Sequence, residues 1–152
     1  DAELACYFVS FVFGLVLGGN LKDIVTFNFT GQYNNYKART QRDKTAWNLP
    51  NVRVSLYTDF KILPNLFTGI DLFYTGTRED LDYQIGSALP EKISLGGYLD
   101  LNFHIDYTFN KNWQVFLKAN NLTGQRHENW VYYPSQSIQA FAGIKYIFSL
   151  NN

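Results

Sequence analysis

The chain lacks methionine and, across 152 residues, holds one cysteine, two histidines, four prolines and no net formal charge at pH 7. Each shortage closes a route. A lone Cys6 cannot form an internal disulfide, so no disulfide framework is available. Thirteen basic side chains against thirteen acidic ones, with no basic tract, exclude an electrostatic nucleic-acid binder, which needs clustered Lys and Arg to displace phosphate counterions. Nucleic acid is therefore not an expected partner. The two histidines, His104 and His127, and the one cysteine stand at unrelated spacings and make no zinc site. Nor does any Ser, Cys or Thr stand in a recognisable nucleophile pattern with them.

Long apolar runs are also scarce. The one present, Leu4 to Leu17, is shorter than the roughly 20 residues a spanning helix needs. A signal peptide would carry a basic leading region, yet the chain opens Asp1-Ala2-Glu3 and its first Lys is Lys22. With no initiator Met beside an apolar segment, the expectation is a chain that begins inside a longer protein. Gly-Gly pairs at Gly18 and Gly96 lack both the spacing and the following helix of a phosphate loop. Neither a catalytic function nor a cofactor is expected.

What is abundant is aromatic surface: 13 Phe, 11 Tyr and 3 Trp make 18% of the chain, within 46% apolar residues overall. That composition suffices for one ordered unit over 1–152. The apolar residues alternate. Leu99, Leu101, Phe103, Ile105, Tyr107 and Phe109 share one face, while Asp100, Asn102, His104, Asp106 and Thr108 share the other. The same period of two recurs around Val52 to Phe60, Val25 to Phe29, Ile70 to Tyr74, Trp113 to Ala119 and Ile144 to Phe148. With the Leu4 to Leu17 run this predicts about seven strands and no helix.

The connections are sorted by length. Gly18-Gly19-Asn20, Leu63-Pro64-Asn65 and Asn110-Lys111-Asn112 read as tight turns, and Asn34 to Leu49, Thr77 to Gly96 and Thr123 to Ser137 as long loops. Short turns at one end and long loops at the other are the layout of an outer-membrane β-barrel. Tyr33, Phe60, Tyr74, Tyr98, Tyr107, Phe109, Trp113, Tyr146 and Phe148 fall near strand ends, where a barrel places its aromatic girdles. The fold class expected is therefore all-β: an antiparallel up-and-down meander of about seven strands, part of an outer-membrane β-barrel. The alternative is a self-contained small β-barrel or β-sandwich acting as a structural or binding module, because sandwich strands alternate too.

Several phrases carry a resemblance. Tyr98-Leu99-Asp100-Leu101 opens a strand, Asn120-Asn121-Leu122-Thr123 ends the next, Tyr133-Pro134 lies in the last loop, and Ala142 to Phe148 (AGIKYIF) forms the closing strand. Upstream stand Ala46-Trp47-Asn48-Leu49-Pro50 and Tyr74-Thr75-Gly76-Thr77-Arg78. In order and spacing, Ala46 to Phe148 resembles the C-terminal end of a TonB-dependent outer-membrane receptor of the type common in Bacteroidota. The resemblance implies energy-coupled uptake of a siderophore, corrinoid or glycan across a bacterial outer membrane. Such barrels have about 22 strands and a plug domain, so the resemblance implies a C-terminal section without the earlier strands and the plug. The implied partners are outer-membrane lipid, the missing strands and plug, and TonB through that plug. The family's closing strand ends the chain on an aromatic residue, whereas Ser149, Leu150, Asn151 and Asn152 follow Phe148 here.

Functional residues are sought in the loops. The first holds Lys37, Arg39, Arg42 and Lys44 against Asp43, the second Arg78 and Lys92 against Glu79, Asp80, Asp82 and Glu91, and opposite signs on one rim attract. Arg78, Arg126, Trp130, Tyr132 and Tyr133 are the candidate ligand-binding residues, since rings and guanidinium groups offer stacking surface for a sugar or a chelate. Ordinary loop packing would explain them as well. Asp71, Asp100 and Asp106 are read as a wet polar face rather than an acid/base pair. The Asn28-Phe29-Thr30 and Asn121-Leu122-Thr123 sequons fall in or at strands and are read as coincidences of composition.

Overall fold

In a computed structural model, which describes residues 8–38, 45–83 and 89–148, the chain is built of strands. Seven form one antiparallel sheet: β1 (Phe8–Leu21), β2 (Val25–Ala38), β3 (Val52–Leu63), β4 (Leu66–Thr75), β7 (Tyr98–Thr108), β8 (Trp113–Asn120) and β11 (Gln139–Tyr146). Their order in the sheet follows the chain, as in a meander. Two small hairpins, β5 (Arg78–Asp82) with β6 (Glu91–Leu95) and β9 (Glu128–Trp130) with β10 (Tyr133–Pro134), stand apart inside the long connections.

Register decides what each face carries, because directly opposed residues of an antiparallel pair share a face. Reading across the sheet, Leu17 pairs with Phe29, Phe29 with Leu56, Leu56 with Leu72, and Leu72 with Leu101. On the next row Ile70 pairs with Phe103, Phe103 with Ala119 and Ala119 with Ala140. One face is thus apolar from β1 to β11. The opposite face runs Thr30, Ser55, Phe73 and Asp100, then Gly69, His104, Lys118 and Phe141. Among the described residues no second layer covers the apolar face: Leu15, Leu17, Ile70, Leu117 and Ile144 are all exposed on it. Among the described residues the buried apolar side chains are Leu95, Val131 and Pro50, all in the long connections. Among the described residues the sheet is a single layer whose outer strands, β1 and β11, do not pair with one another, unlike a sandwich or a closed small barrel.

The loop sorting holds, with local corrections. Pro64-Asn65 and the Asn110 to Asn112 segment make the tight turns expected there, and Asn110 Oδ1 accepts from the Asn112 and Trp113 amides at 2.9 and 3.0 Å. Gly18-Gly19-Asn20 is not a turn. It lies within β1, and the chain reverses instead at Lys22-Asp23-Ile24, where Lys22 and Asp23 take left-handed φ values of 51° and 55°. Asn20 Oδ1 accepts the Asp23 amide at 3.0 Å and locks that reversal. Gly19 serves space rather than bending: a Cβ there would stand 2.9 Å from the Phe27 ring. The loop expected from Asn34 starts later, because β2 continues to Ala38 and the Asn34 amide donates to the Asn51 carbonyl at 2.7 Å. Leu4 to Tyr7, at the start of the apolar run, lies outside the described residues.

Rings cluster at the short-turn end, where Phe109 stacks with Trp113 (6.4 Å), Trp113 meets Tyr146 (4.6 Å) and Tyr146 meets Phe148 (4.5 Å). Tyr33 and Tyr74 are exposed at the other end of the apolar face. Tyr98 is a correction: it pairs with Thr75 and shares the polar face with Asp100, so it belongs to no outward belt.

On the polar face, His104 Nε2 reaches Asp59 Oδ1 at 3.1 Å across Gly69, the residue paired to both. A Cβ at 69 would strike the His104 ring and stand 2.5 Å from the Thr58 carbonyl oxygen. Gly69→Val should therefore break the bridge and cost about 1 to 3 kcal/mol, as overpacking does. A lowered urea midpoint of the detergent-solubilised protein checks this.

Candidate functional site at the long-loop rim

The long connections form one knitted layer, and two residues do most of the joining. Asn48, held at φ 52°, donates its amide to the Glu79 carbonyl at 2.6 Å and its Nδ2 to the Asn129 carbonyl at 3.0 Å. Its Oδ1 accepts from Arg78 Nε at 2.6 Å. Arg78 Nη2 also donates to the Glu128 carbonyl, and its guanidinium lies 5.6 Å from the Tyr98 ring centroid. All three loops thus meet at these two side chains. The arrangement satisfies main-chain groups that loop packing would otherwise bury unpaired.

The β9–β10 hairpin is gripped at its tip. The Val131 amide donates to Asp80 Oδ2 at 3.2 Å, and the Tyr132 hydroxyl donates to Asp82 Oδ1 at 2.7 Å. That bond pushes the Tyr132 phenol above its ordinary range, because the neutral form is the donor. Tyr132 takes a φ of 67°, a conformation bulky residues avoid and one sustained here by this anchoring. Where β8 ends, Asn121 at φ 51° caps the strand: its amide donates to Asn102 Oδ1, and its Nδ2 donates to the Gln125 and Gln136 carbonyls at 3.0 and 2.9 Å. The Asn120-Asn121-Leu122-Thr123 phrase is therefore a strand terminator. The amide nitrogen of its sequon is committed to the protein.

A cleft of about 540 Å³ opens beside Asn48 and Arg78, lined also by Arg53 and Thr75 from the sheet and by Asn129 and Trp130 from β9. Arg78 is 6% exposed, and its Nη1 is buried with no hydrogen-bond partner among the described residues. Arg53, on the polar face of β3, is exposed. Trp130 and Tyr133, opposed in the β9–β10 ladder, are 58% and 69% exposed, so their rings are free surface. Arg126 lines a second, adjoining cleft with Gln125, His127 and Gly97, whose lining does not include Arg78. The five sequence candidates thus sit on one rim in different settings. Arg78 is the buried joint, Tyr132 the anchored tip, Trp130 and Tyr133 open rings, and Arg126 a neighbouring wall.

Sequence reasoning passed over Arg53, met Asn48 only within a resemblance phrase, and weighed His127 only as a metal ligand. No local pattern marks Arg53, whose relation to Arg78 depends on strand register. His127 stacks on Tyr98 at 3.4 Å between centroids and 6° between planes, with Ser135 Oγ 3.2 Å from its Nδ1. Burial pushes its pKa below the ordinary 6.5, nearby Asp100 opposes and Arg78 reinforces the shift. A neutral His127 in the folded rim means that the opened loop takes up a proton first as pH falls. Its contribution is whole above about pH 6.5 and is lost as pH drops below that value toward the lowered folded-state pKa. Proteolysis of the 121–138 loop should therefore be faster at pH 5.5 than at 7.5, and His127→Gln should flatten that difference.

The expected attraction between oppositely charged loops rests on first-loop side chains, Lys37 to Lys44, that lie outside what the structure describes. Lys92 Nζ meets Glu79 Oε2 at 3.0 Å within the β5–β6 hairpin itself, because opposed strands bring them together. Arg39, Arg42, Asp43 and Lys44 lie outside the described residues.

No family model and no curated protein sequence matches the chain. Solved structures do. The pyoverdine outer-membrane receptor FpvA of Pseudomonas aeruginosa PAO1, bound to pyoverdine, superposes with a TM-score of 0.79 at 16% identity over 91% of this chain. The chain has the fold of an outer-membrane β-barrel segment. The siderophore receptor PirA of Acinetobacter baumannii matches at TM-score 0.77 and 16% identity over 90% of the chain, and the ferric-catecholate import receptor Fiu of E. coli at 0.71 and 14% over 88%. The chain spans about one fifth of each: 21%, 22% and 20% of their lengths. At these identities the likeness is one of fold, and it accounts for a single-layer sheet with sorted loops.

Proposed function

We propose that the chain is the C-terminal section of the barrel of a TonB-dependent receptor in a bacterial outer membrane, serving energy-coupled uptake of a siderophore. The observation that carries this reading is the uninterrupted apolar face of the seven-stranded sheet, exposed from β1 to β11 with no layer to cover it. Lipid is the solvent that such a face requires. From Leu99 to Tyr107 the strand rises ~27 Å, or ~20 Å across a membrane once tilted ~40°, close to the ~25 Å apolar band of such barrels. Siderophore is favoured over corrinoid or glycan because the solved barrels of like fold are receptors for pyoverdine and ferric catecholates. The remaining strands, the plug, and TonB acting through that plug complete the transporter.

The test is in the source organism. Removing the gene should cut uptake of a labelled ferric chelate under iron limitation at least ~tenfold, and the reading frame upstream of Asp1 should encode a plug domain. Unchanged uptake of every ferric chelate tried overturns the siderophore assignment, and a signal peptide directly before Asp1 overturns the larger barrel.

A further inference from the structure

Resting on the barrel half of the receptor reading and not on its cargo, we infer that an anionic glycerophospholipid of the periplasmic leaflet binds at the β7–β8 turn, its phosphate at Lys111 and one acyl chain in a groove on the apolar face. The groove measures about 250 Å³ and is lined by Ile105, Tyr107, Val115, Phe116 and Leu117. Register explains its place: Tyr107 opposes Val115 and Ile105 opposes Leu117, two alternate pairs of one ladder that share the apolar face. They lie toward the short-turn end, which in such barrels is the periplasmic one. A chain lying against this face gains little by itself, because lipid tails are as apolar as the side chains they touch. Selectivity must therefore come from the headgroup.

The turn supplies the independent sign. Phe109, whose amide donates to the Trp113 carbonyl, lies two residues or ~7 Å beyond Tyr107, and the two rings stack at 6.4 Å. Lys111 follows at the tip, past these rings, at the level where headgroups replace hydrocarbon. It is exposed and makes no ion pair among the described residues, whose ion pairs are Lys92 with Glu79 and His104 with Asp59. Its neighbours are uncharged and hold the turn in shape: Asn110 Oδ1 accepts the Asn112 and Trp113 amides, and Asn112 Nδ2 donates to the Ile147 carbonyl at 2.8 Å. A fixed tip thus carries one uncompensated positive charge. The other short turns differ, since Lys22 stands beside Asp23 and Pro64-Asn65 has no charge. Cation beyond the rings and groove below them match the order of phosphate and chain along one lipid.

The test sets the full receptor, extracted from membranes, in micelles with equal amounts of dioleoyl phosphatidylglycerol and dioleoyl phosphatidylcholine, and reads the lipid that stays bound by native mass spectrometry. Phosphatidylglycerol should be retained about fivefold over phosphatidylcholine, the attraction one lysine exerts on an anionic lipid surface. Lys111→Gln should bring that ratio to one, and Lys111→Arg should keep it. Val115→Phe, which fills the groove and leaves the face apolar, should lower phosphatidylglycerol retention with Lys111 intact, and soluble glycerol phosphate should not displace the lipid. Equal retention of the two lipids by the unaltered receptor, a preference that survives Lys111→Gln or Val115→Phe, or displacement by glycerol phosphate overturns the lipid site and leaves the barrel reading standing. A full receptor that never reaches the membrane fraction overturns both.

Discussion

Phe103→Arg will stop the protein from assembling in a membrane, and Ser55→Arg on the opposite face will not. Phe103 is central in β7, flanked by Ile70 and Ala119 on the apolar face, so an arginine there puts a guanidinium into hydrocarbon. On a lipid-facing barrel position near mid-bilayer that costs about 2 to 4 kcal/mol. Ser55 lies between Thr30 and Phe73 on the opposite face, where a charge remains in the wet interior. Asn102, beside Phe103, looks from sequence like the natural control, but its Oδ1 accepts the Asn121 amide, and replacing it would undo the β8 cap. Protease protection and heat-modifiable gel mobility of the membrane fraction report assembly. Equal tolerance of both variants would show that the apolar face is not a lipid face.

A second large effect is expected when residues 1–152 are expressed by themselves. Among the described residues β1 and β11 end the sheet, and each presents a row of amide and carbonyl groups that no neighbouring strand takes up. In hydrocarbon every such unpaired group costs several kcal/mol, which is why spanning sheets close. In water the same edges template aggregation. The isolated chain should therefore collect as an aggregate or require detergent, and should show no uptake. A folded monomer in micelles whose mobility shifts on boiling would mean that the chain closes on itself.

The architecture was largely legible because its signals are local. Alternation from Leu99 to Phe109 separated the two faces of β7, and register puts Leu101, Phe103, Ile105 and Leu117 together on the apolar one. Asn and Pro gave two of the three tight turns. The third failed because glycine has two uses: Gly18 and Gly19 resemble a turn, yet Gly19 makes room for the Phe27 ring of the paired strand. That space becomes visible only once register is known. Tyr98 was misplaced for a related reason. Its position near a strand end suits a girdle, but parity with Asp100 sends it inward.

The rim was legible only as a list of residues. Arg78 and Trp130 could be named from their loops, but Asn48 joins carbonyls and donors separated by 30 and 81 positions, and no spacing rule reaches that far. Asp80 and Asp82 likewise counted only toward the charge of their loop, though they hold the β9–β10 hairpin from a different loop.

That shared joint has a bearing on how this surface can change. Because a single side-chain amide at Asn48 serves the connections on either side of it, drift in one loop is felt at once in the other two. Transplanting one of these loops from a relative should disorder the whole rim, whereas exchanging all three together preserves the joint. The shape of this rim is inherited as a set, and a graft that respects the set is the practical route to a new one.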